Sequence, residues 1–167
     1  MSQAMTQPTS DQPAGPAPLH RKMNIVTVFD PDNTVRTHHV SGTISLPAFR
    51  GILPGLYTSK QFNPDMNALW DLRQADFSGI MPEDVRDLMH VVVGNWGRSG
   101  SCHSAILVAS ETEYGVARIY VSQFGQAAPC KIKVFLDLDE ARQWLGLGPR
   151  SEGTVDSNRP MNSTGRQ

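Results

Sequence analysis

The sequence predicts one α/β domain with a mixed, mostly parallel sheet of about five strands and about four helices. All three Trp, all three Tyr and all six Phe lie between residues 23 and 146, which places the hydrophobic core there. Strand patterns alternate with helix patterns through most of this region, as is typical of parallel β-α-β crossovers. Two strand patterns at its amino-terminal end predict an antiparallel hairpin at one edge of the sheet.

Two tails flank this domain, at residues 1–22 and 147–167, and both are predicted to be disordered. They are rich in Pro, Ser, Thr and Gly and have no aromatic residue. Such segments bury too little apolar surface to offset the entropy lost on ordering. The chain starts without the basic and apolar regions of a secretory signal, and it has no run of ~18 apolar residues. The sequence therefore predicts a cytoplasmic protein without a transmembrane segment.

The predicted elements follow the order ββ-α-β-α-β-α-β-α. Turn residues Asp30-Pro31-Asp32-Asn33 separate the first two strands. Ser110 with Glu113, and Asp137 with Glu140, have the spacing of capping boxes that begin helices. Pro54 predicts a kinked or shortened first helix. The predicted strands are 23–29, 34–40, 67–72, 105–109 and 131–136, and the helices are 44–57, 82–96, 110–124 and 138–145.

Charge and cysteine content limit the classes of partner. The formal net charge is −1, and the tails contain more basic than acidic residues, so the domain itself is mildly acidic. A nucleic-acid partner, which requires a basic surface, is therefore not expected. Without an export signal, Cys102 and Cys130 are expected to be reduced and inert thiols. Both precede predicted strands, so they can pair only if their Cα atoms come within about 7 Å.

Ligands of open α/β sheets collect beyond the carboxyl ends of the parallel strands. That rule selects Asp71, Arg73 and Ser110 as candidate ligand-binding residues. An anion near Arg73 and the helix start at Ser110 is one hypothesis. In the other, Ser110 only caps its own helix and Arg73 pairs with Asp71 or Asp76.

Tyr114 and Arg118 complete the set of candidate ligand-binding residues, because Arg118 lies one helical turn after Tyr114 and could point into a cleft. The alternative is an arginine whose head lies in water. His38 and His39 alternate across a strand and have no further spaced ligands, so no metal site is predicted. No phosphate-binding loop, dinucleotide fingerprint or nucleophile elbow is present. No catalytic residue and no cofactor are predicted.

Four segments in this order resemble the STAS-like family, which includes the anti-sigma-factor antagonists and is often grouped with lipid-exchange CRAL-TRIO domains. They span almost all of the domain. The segments are Leu69-Trp70-Asp71-Leu72-Arg73, Glu83-Asp84-Val85-Arg86-Asp87-Leu88, Tyr114-Gly115-Val116-Ala117-Arg118-Ile119-Tyr120, and Val134-Phe135-Leu136-Asp137 leading into Ala141-Arg142-Gln143-Trp144-Leu145-Gly146.

The resemblance implies a bacterial, non-enzymatic regulatory domain that acts through a protein partner. Phospho-switch antagonists of this family have an Asp-Ser-Ser-Gly motif, and here the corresponding region contains Asp76, Phe77, Ser78 and Gly79. Ser78 is thus a candidate phosphorylation site, although it is out of register with the family's serine. The alternative function is a small-ligand or lipid-binding domain with an anion site near Arg73 and Ser110. An undetected enzymatic activity is a third hypothesis.

Overall fold

The computed structural model describes residues 21–30, 32, 34–80, 84, 87, 88, 90, 92, 102–124, 128 and 130–148. The predicted tails lie outside the described residues except for 21–22 and 147–148. The backbone N–H of Thr43 donates a hydrogen bond to the carbonyl oxygen of Arg21 at 2.9 Å. Leu147 packs against the core beside Leu145. Both ends of the described chain are therefore attached to the domain.

Five strands form one sheet in the order β1-β2-β3-β4-β5, so the spatial order is also the chain order. β1 pairs with β2 antiparallel, and each later strand pairs with its predecessor parallel. The predicted mixed, mostly parallel sheet with a hairpin at its edge is confirmed. The strands are β1 (Asn24–Phe29), β2 (Val35–Thr43), β3 (Asn67–Asp76), β4 (His103–Leu107) and β5 (Lys131–Phe135).

The hairpin turn is organised by one carboxylate. Asp30 accepts hydrogen bonds from the backbone N–H groups of Asp32 and Val35 and from the hydroxyl of Thr34. Burial acts to raise the pKa of Asp30, but these hydrogen bonds outweigh it and hold the pKa below its usual value. The carboxylate is therefore the stable form and fixes the return of the chain into β2.

Three complete helices are described: α1 (Leu46–Tyr57), α2 (Glu111–Phe124) and α3 (Leu138–Trp144). Ser45 caps α1 by accepting from the backbone N–H of Ala48, and the helix continues past Pro54 to Tyr57, so the proline does not shorten it. Asp137 caps α3 by accepting from the backbone N–H of Glu140. The predicted caps are confirmed, because these side chains satisfy N–H groups that have no partner within the helix.

The predicted helix over 82–96 is described at five positions, Asp84, Asp87, Leu88, His90 and Val92, and all are helical. Its bounds lie outside the described residues. Val92 is buried in the core around α1, and Leu88 packs against the same cluster. The four-residue spacing of these two side chains agrees with the predicted apolar stripe.

The two faces of the sheet differ in what covers them. We call the side that packs against α1 and α2 the front face, where Val40 meets Phe49 of α1 and Ile106 meets Ala117 of α2. The other side is the back face, and α3 packs there against β4 and β5. Alternating side chains of each strand point to the two faces. Because helices cover both faces at β4 and β5, these strands are apolar throughout their carboxyl halves.

The back face is open at β1. Val26 lies opposite His39 of β2 in the antiparallel register, and Val28 lies opposite Thr37. The two valines are 52% and 50% exposed. This part of the sheet presents apolar side chains without a covering helix among the described residues.

The expectation of two reduced thiols is wrong in this structure, since Cys102 and Cys130 form a disulfide. Their Cα atoms are 4.8 Å apart, within the range that a disulfide requires. The cause is the register of two parallel strands. His103 lies beside Lys131, so the residues that precede β4 and β5 are also neighbours. Both cysteines are buried.

Candidate functional site

A cavity of about 100 Å³ lies between the front face of the sheet and the helices. Most of its wall consists of aliphatic and aromatic side chains from the sheet, from α1 and from α2. Leu88 and Val92 add a third helical wall. The lining includes Phe49, Leu53, Trp70, Ile106, Ala117 and Ile132. An apolar enclosure with a few polar groups is the usual form of a small-molecule site.

Among the described residues that line this apolar cavity, Arg36 is the one cation. It belongs to β2, and only 4% of its surface is exposed. Its Nη1 donates to the carbonyl oxygen of Asn63 at 2.7 Å, and the guanidinium lies 4.6 Å from the centre of the Phe62 ring. Burial lowers the pKa of Arg36, while the nearby Tyr57 opposes that shift. The loop after α1 thus closes over a buried arginine and supplies its neutral partners.

The guanidinium of Arg36 is incompletely paired. Its Nε is buried without a hydrogen-bond partner in the described part of the chain. Among the ion pairs formed by described residues, none includes Arg36. A guanidinium has five N–H donors, and a buried charge is costly unless it is paired. Arg36 therefore has unused capacity for an anionic or strongly accepting group.

His38 lies two residues further along β2 on the same front face, and 3% of it is exposed. Its Nδ1 is 2.8 Å from the Thr27 hydroxyl oxygen, and its ring lies 4.2 Å from the ring of Trp70. Burial, with smaller effects of Arg36 and His39, lowers the pKa of His38 to about 3. The imidazole is consequently neutral at physiological pH and acts as a polar wall of the cavity.

Two tyrosines also line the cavity. Tyr57 ends α1 and packs edge-on against Phe62, with ring centres 5.0 Å apart. Burial raises the pKa of Tyr57 to about 12, with Arg36 opposing the shift. Burial, followed by the effect of Tyr57, holds the pKa of Tyr120 far above its usual range. Both phenols therefore remain protonated and neutral, which makes Tyr57 a potential donor beside Arg36.

The predicted residues Asp71 and Arg73 lie on the back face and do not reach this cavity. Arg73 donates from Nε and Nη2 to the two carboxylate oxygens of Asp71, both at 2.8 Å, and His39 lies 3.3 Å from Asp71. Burial acts to raise the pKa of Asp71, but the bonds from Arg73 and the charges of Arg73 and His39 lower it overall. The alternative in which Arg73 pairs with Asp71 is therefore observed.

Ser110 caps its own helix, as the second hypothesis required. Its hydroxyl accepts from the backbone N–H of Glu113, and the Glu113 carboxylate accepts from the backbone N–H groups of Ala109 and Ser110. Arg118 lies 6.0 Å from the centre of the Tyr114 ring, at the outer limit of a cation–π contact, and is exposed. The structure brings Tyr114 and Arg118 together but keeps them apart from Asp71 and Arg73. The anion site at the strand ends remains a prediction.

Ser78 lies in a short 3₁₀ turn, Phe77–Gly79, that follows β3 directly. Its side chain is exposed, and its backbone N–H donates to the carboxylate of Asp76 at 2.8 Å. A kinase could reach the hydroxyl, but a phosphate there would lie close to an existing negative charge. Phosphorylation of Ser78 also remains a prediction.

Sequence reasoning missed Arg36, His38 and Tyr57. One signal was available, because Arg36, His38 and Val40 share a face of a strand by the two-residue period, and an apolar Val40 indicates that this face is buried. The described residues contain no group of three or more His, Cys, Asp or Glu side chains arranged to hold a metal ion. None of the described helices is long and apolar enough to cross a membrane.

No protein-family profile matches the chain, and no curated protein matches it. Among solved structures, it is similar to an uncharacterised protein of the DUF3478 family from Shewanella loihica PV-4, which has a SpoIIAA-like fold. The two chains are 20% identical with a TM-score of 0.51, and the match covers 79% of this chain and 99% of the other. At this identity the similarity concerns the fold alone, and it confirms the STAS-like architecture that the sequence motifs predicted. The chain is an α/β domain with a SpoIIAA-like, STAS-like fold.

Proposed function

We propose that the chain is a non-enzymatic binding domain that holds a small, mostly apolar molecule between the front face of the sheet and the helices. The cavity supports this function. A volume of about 100 Å³ is smaller than the dry cavity of roughly 150 Å³ that binds benzene, so a ring-sized ligand requires a small outward shift of the wall. A fully packed core would leave no such space, because protein interiors are normally as dense as organic crystals. A longer ligand such as a lipid would require the helices to move outward.

The first test is mass spectrometry of the protein purified from its own host. A bound molecule adds mass under native conditions, and the added mass disappears on denaturation. The variant Ala117→Leu places a larger side chain in the cavity wall and should lose the added mass. Ile119→Ala is the matched control, because Ile119 lies on the same helix and is 58% exposed. Bare chain mass in every spectrum would argue against stable ligand carriage.

Regulation through a protein partner is the second candidate function, supported by the open part of the back face. Val26 and Val28 expose apolar surface beside the charged group of His39, Asp71 and Arg73. Apolar surface rimmed by charge is typical of interaction sites. The double variant Val26→Ser, Val28→Ser should release a partner recovered with the native chain, while its circular dichroism spectrum stays unchanged.

A phosphate-controlled version of this second function is tested at Ser78. Phosphorylation adds charge and acceptor oxygens to the turn and would change what can dock there. Ser78→Asp should alter partner binding, and Ser78→Ala should not. Equal binding by both variants and the native chain would remove Ser78 from the mechanism.

A further inference from the structure

The charges of the residues that line the cavity restrict the chemical class of the ligand more than the shape of the cavity does. Arg36 is cationic, His38 is neutral, and the tyrosine phenols are neutral. Asp84 lines the cavity as well, from the helical segment that contains Leu88 and Val92. No ion pair joins Arg36 to a carboxylate among the described residues. The cation therefore lies in an apolar environment with only a backbone carbonyl and an aromatic ring as described partners.

We infer that the cavity binds a small organic carboxylate, with its apolar body against Trp70 and Ile106 and its carboxylate against Arg36. This inference rests on the proposed function and specifies the chemical class of its ligand. The anion would lie against the guanidinium of Arg36, which lines the cavity and forms no ion pair among the described residues, and Tyr57 supplies a neutral O–H close to it. Charge-assisted bonds from arginine to a carboxylate are among the strongest polar contacts in proteins.

A monoanion fits these groups better than a dianion such as a phosphate monoester. One guanidinium balances one negative charge, and a second charge would stay buried without a partner. The limited volume of about 100 Å³ also favours a compact ligand with one ring or a short chain.

The test uses two ligands of the same shape, benzoate and benzamide, which differ by one charge at neutral pH. Each is titrated into the full chain, and binding is followed by the NMR signals of Trp70, whose ring borders the cavity. We expect benzoate to bind at least about tenfold more tightly than benzamide, which is the usual effect of a hydrogen-bonded charge in a desolvated site. In Arg36→Gln this preference should disappear.

Arg73→Gln is the matched control, because Arg73 is an exposed arginine of the same sheet that lies on the back face. It should leave the preference for benzoate unchanged. If Arg36→Gln fails to fold, the comparison of the two ligands on the native chain still decides the question.

Each outcome has one meaning. Equal binding of benzoate and benzamide at Trp70 would retain the small-molecule function and overturn the carboxylate class. Absence of binding by either ligand would contradict both. A benzoate response at Arg73 and Ser110 with none at Trp70 would overturn the cavity assignment in favour of the strand-end anion site. Tighter benzoate binding at Trp70 that depends on Arg36 and not on Arg73 would support the inference.

Discussion

His38 should make the domain sensitive to mild acid, and the structure gives the size of the effect. The imidazole has a pKa of about 3 in the folded chain, whereas a histidine in an unfolded chain has a pKa near 6.5. At pH values between these two pKa values, the imidazole binds a proton in the unfolded state but not in the folded state. The stability that depends on neutral His38 is complete above about pH 6.5 and is lost as the pH falls toward 3. At pH 4.5, two units below the unfolded pKa, the loss is about 3 kcal/mol, from 1.36 kcal/mol per unit.

The assay is urea denaturation of the native chain and of His38→Gln at pH 7.5 and pH 4.5. The native chain should lose about 3 kcal/mol more unfolding free energy between the two pH values than the variant. At pH 4.5 most carboxylates are still ionised, and those that titrate do so in both proteins, so their effect cancels. The quantity compared is the change in unfolding free energy between the two pH values, and not the stability at either pH, because glutamine also changes the packing against Trp70.

His90→Gln is the control, because His90 is exposed and lies on another element. It should follow the native chain at both pH values. If His38→Gln loses as much stability as the native chain between pH 7.5 and 4.5, the histidine is not held neutral by burial. The account of the cavity as a site with one positive charge would then need revision.

Three further predictions concern stability. Gly42→Ala should lower the unfolding free energy measured by urea denaturation by about 2–4 kcal/mol, because Gly42 has φ +82° and an added methyl group would collide with the Lys22 carbonyl oxygen. Gly51→Ala in α1 is the control, since its methyl group meets no atom and should stabilise the chain slightly. Reducing the disulfide, which links residues 28 positions apart, should lower the unfolding free energy by about 3–4 kcal/mol. This prediction would be contradicted if the native chain melted at the same temperature with and without reductant and if Cys130→Ser also melted at that temperature. Asp30→Ala should cost about 1–2 kcal/mol by removing the acceptor for Asp32, Thr34 and Val35, and an unchanged urea midpoint would show that the turn forms without it.

The sequence predicts elements well where their signals are local. The helix caps at Ser45, Ser110 and Asp137 depend only on residues within one helical turn, and all three caps are observed. Strand ends are less accurate. β3 continues to Asp76, beyond the predicted end at Leu72, because pairing with the second half of β2 supports it. That pairing depends on the partner strand and leaves no periodic signal in β3 itself.

The strand-end residues selected from the sequence lie outside the front-face cavity, and their role in anion binding stays a prediction. Ligands collect at carboxyl ends of strands where the strand order reverses and a crevice opens. Here the order runs from β1 to β5 without reversal. A second pocket of about 380 Å³ is nevertheless lined by side chains that include Asp71 and Arg73. The apolar cavity lies instead on the front face, and the loop residues Phe62 and Asn63 close over Arg36. Neither loop residue has a periodic pattern that would link it to a strand about 27 residues earlier.

The proximity of Cys102 and Cys130 was also unpredictable from the chain alone. It follows from the register in which His103 lies beside Lys131, and a shift of that register would separate the two thiols. The sequence indicated only that both residues precede strands. Spatial neighbours of this kind depend on tertiary pairing, which local propensity does not encode.

The identity of spatial and chain order in the sheet bears on how the domain folds. Each strand pairs with the strand synthesised just before it, so no strand must wait for a distant partner. The parallel pairings join residues that are 28 to 36 positions apart, as between His103 and Lys131 and between Ala68 and Ser104, and an interleaved order would have to close longer loops before its contacts form. The hairpin of β1 and β2 provides the first edge, and β3, β4 and β5 then extend the sheet in one direction. The domain can therefore assemble stepwise as the chain leaves the ribosome, and the disulfide between the starts of β4 and β5 joins only the last two strands added.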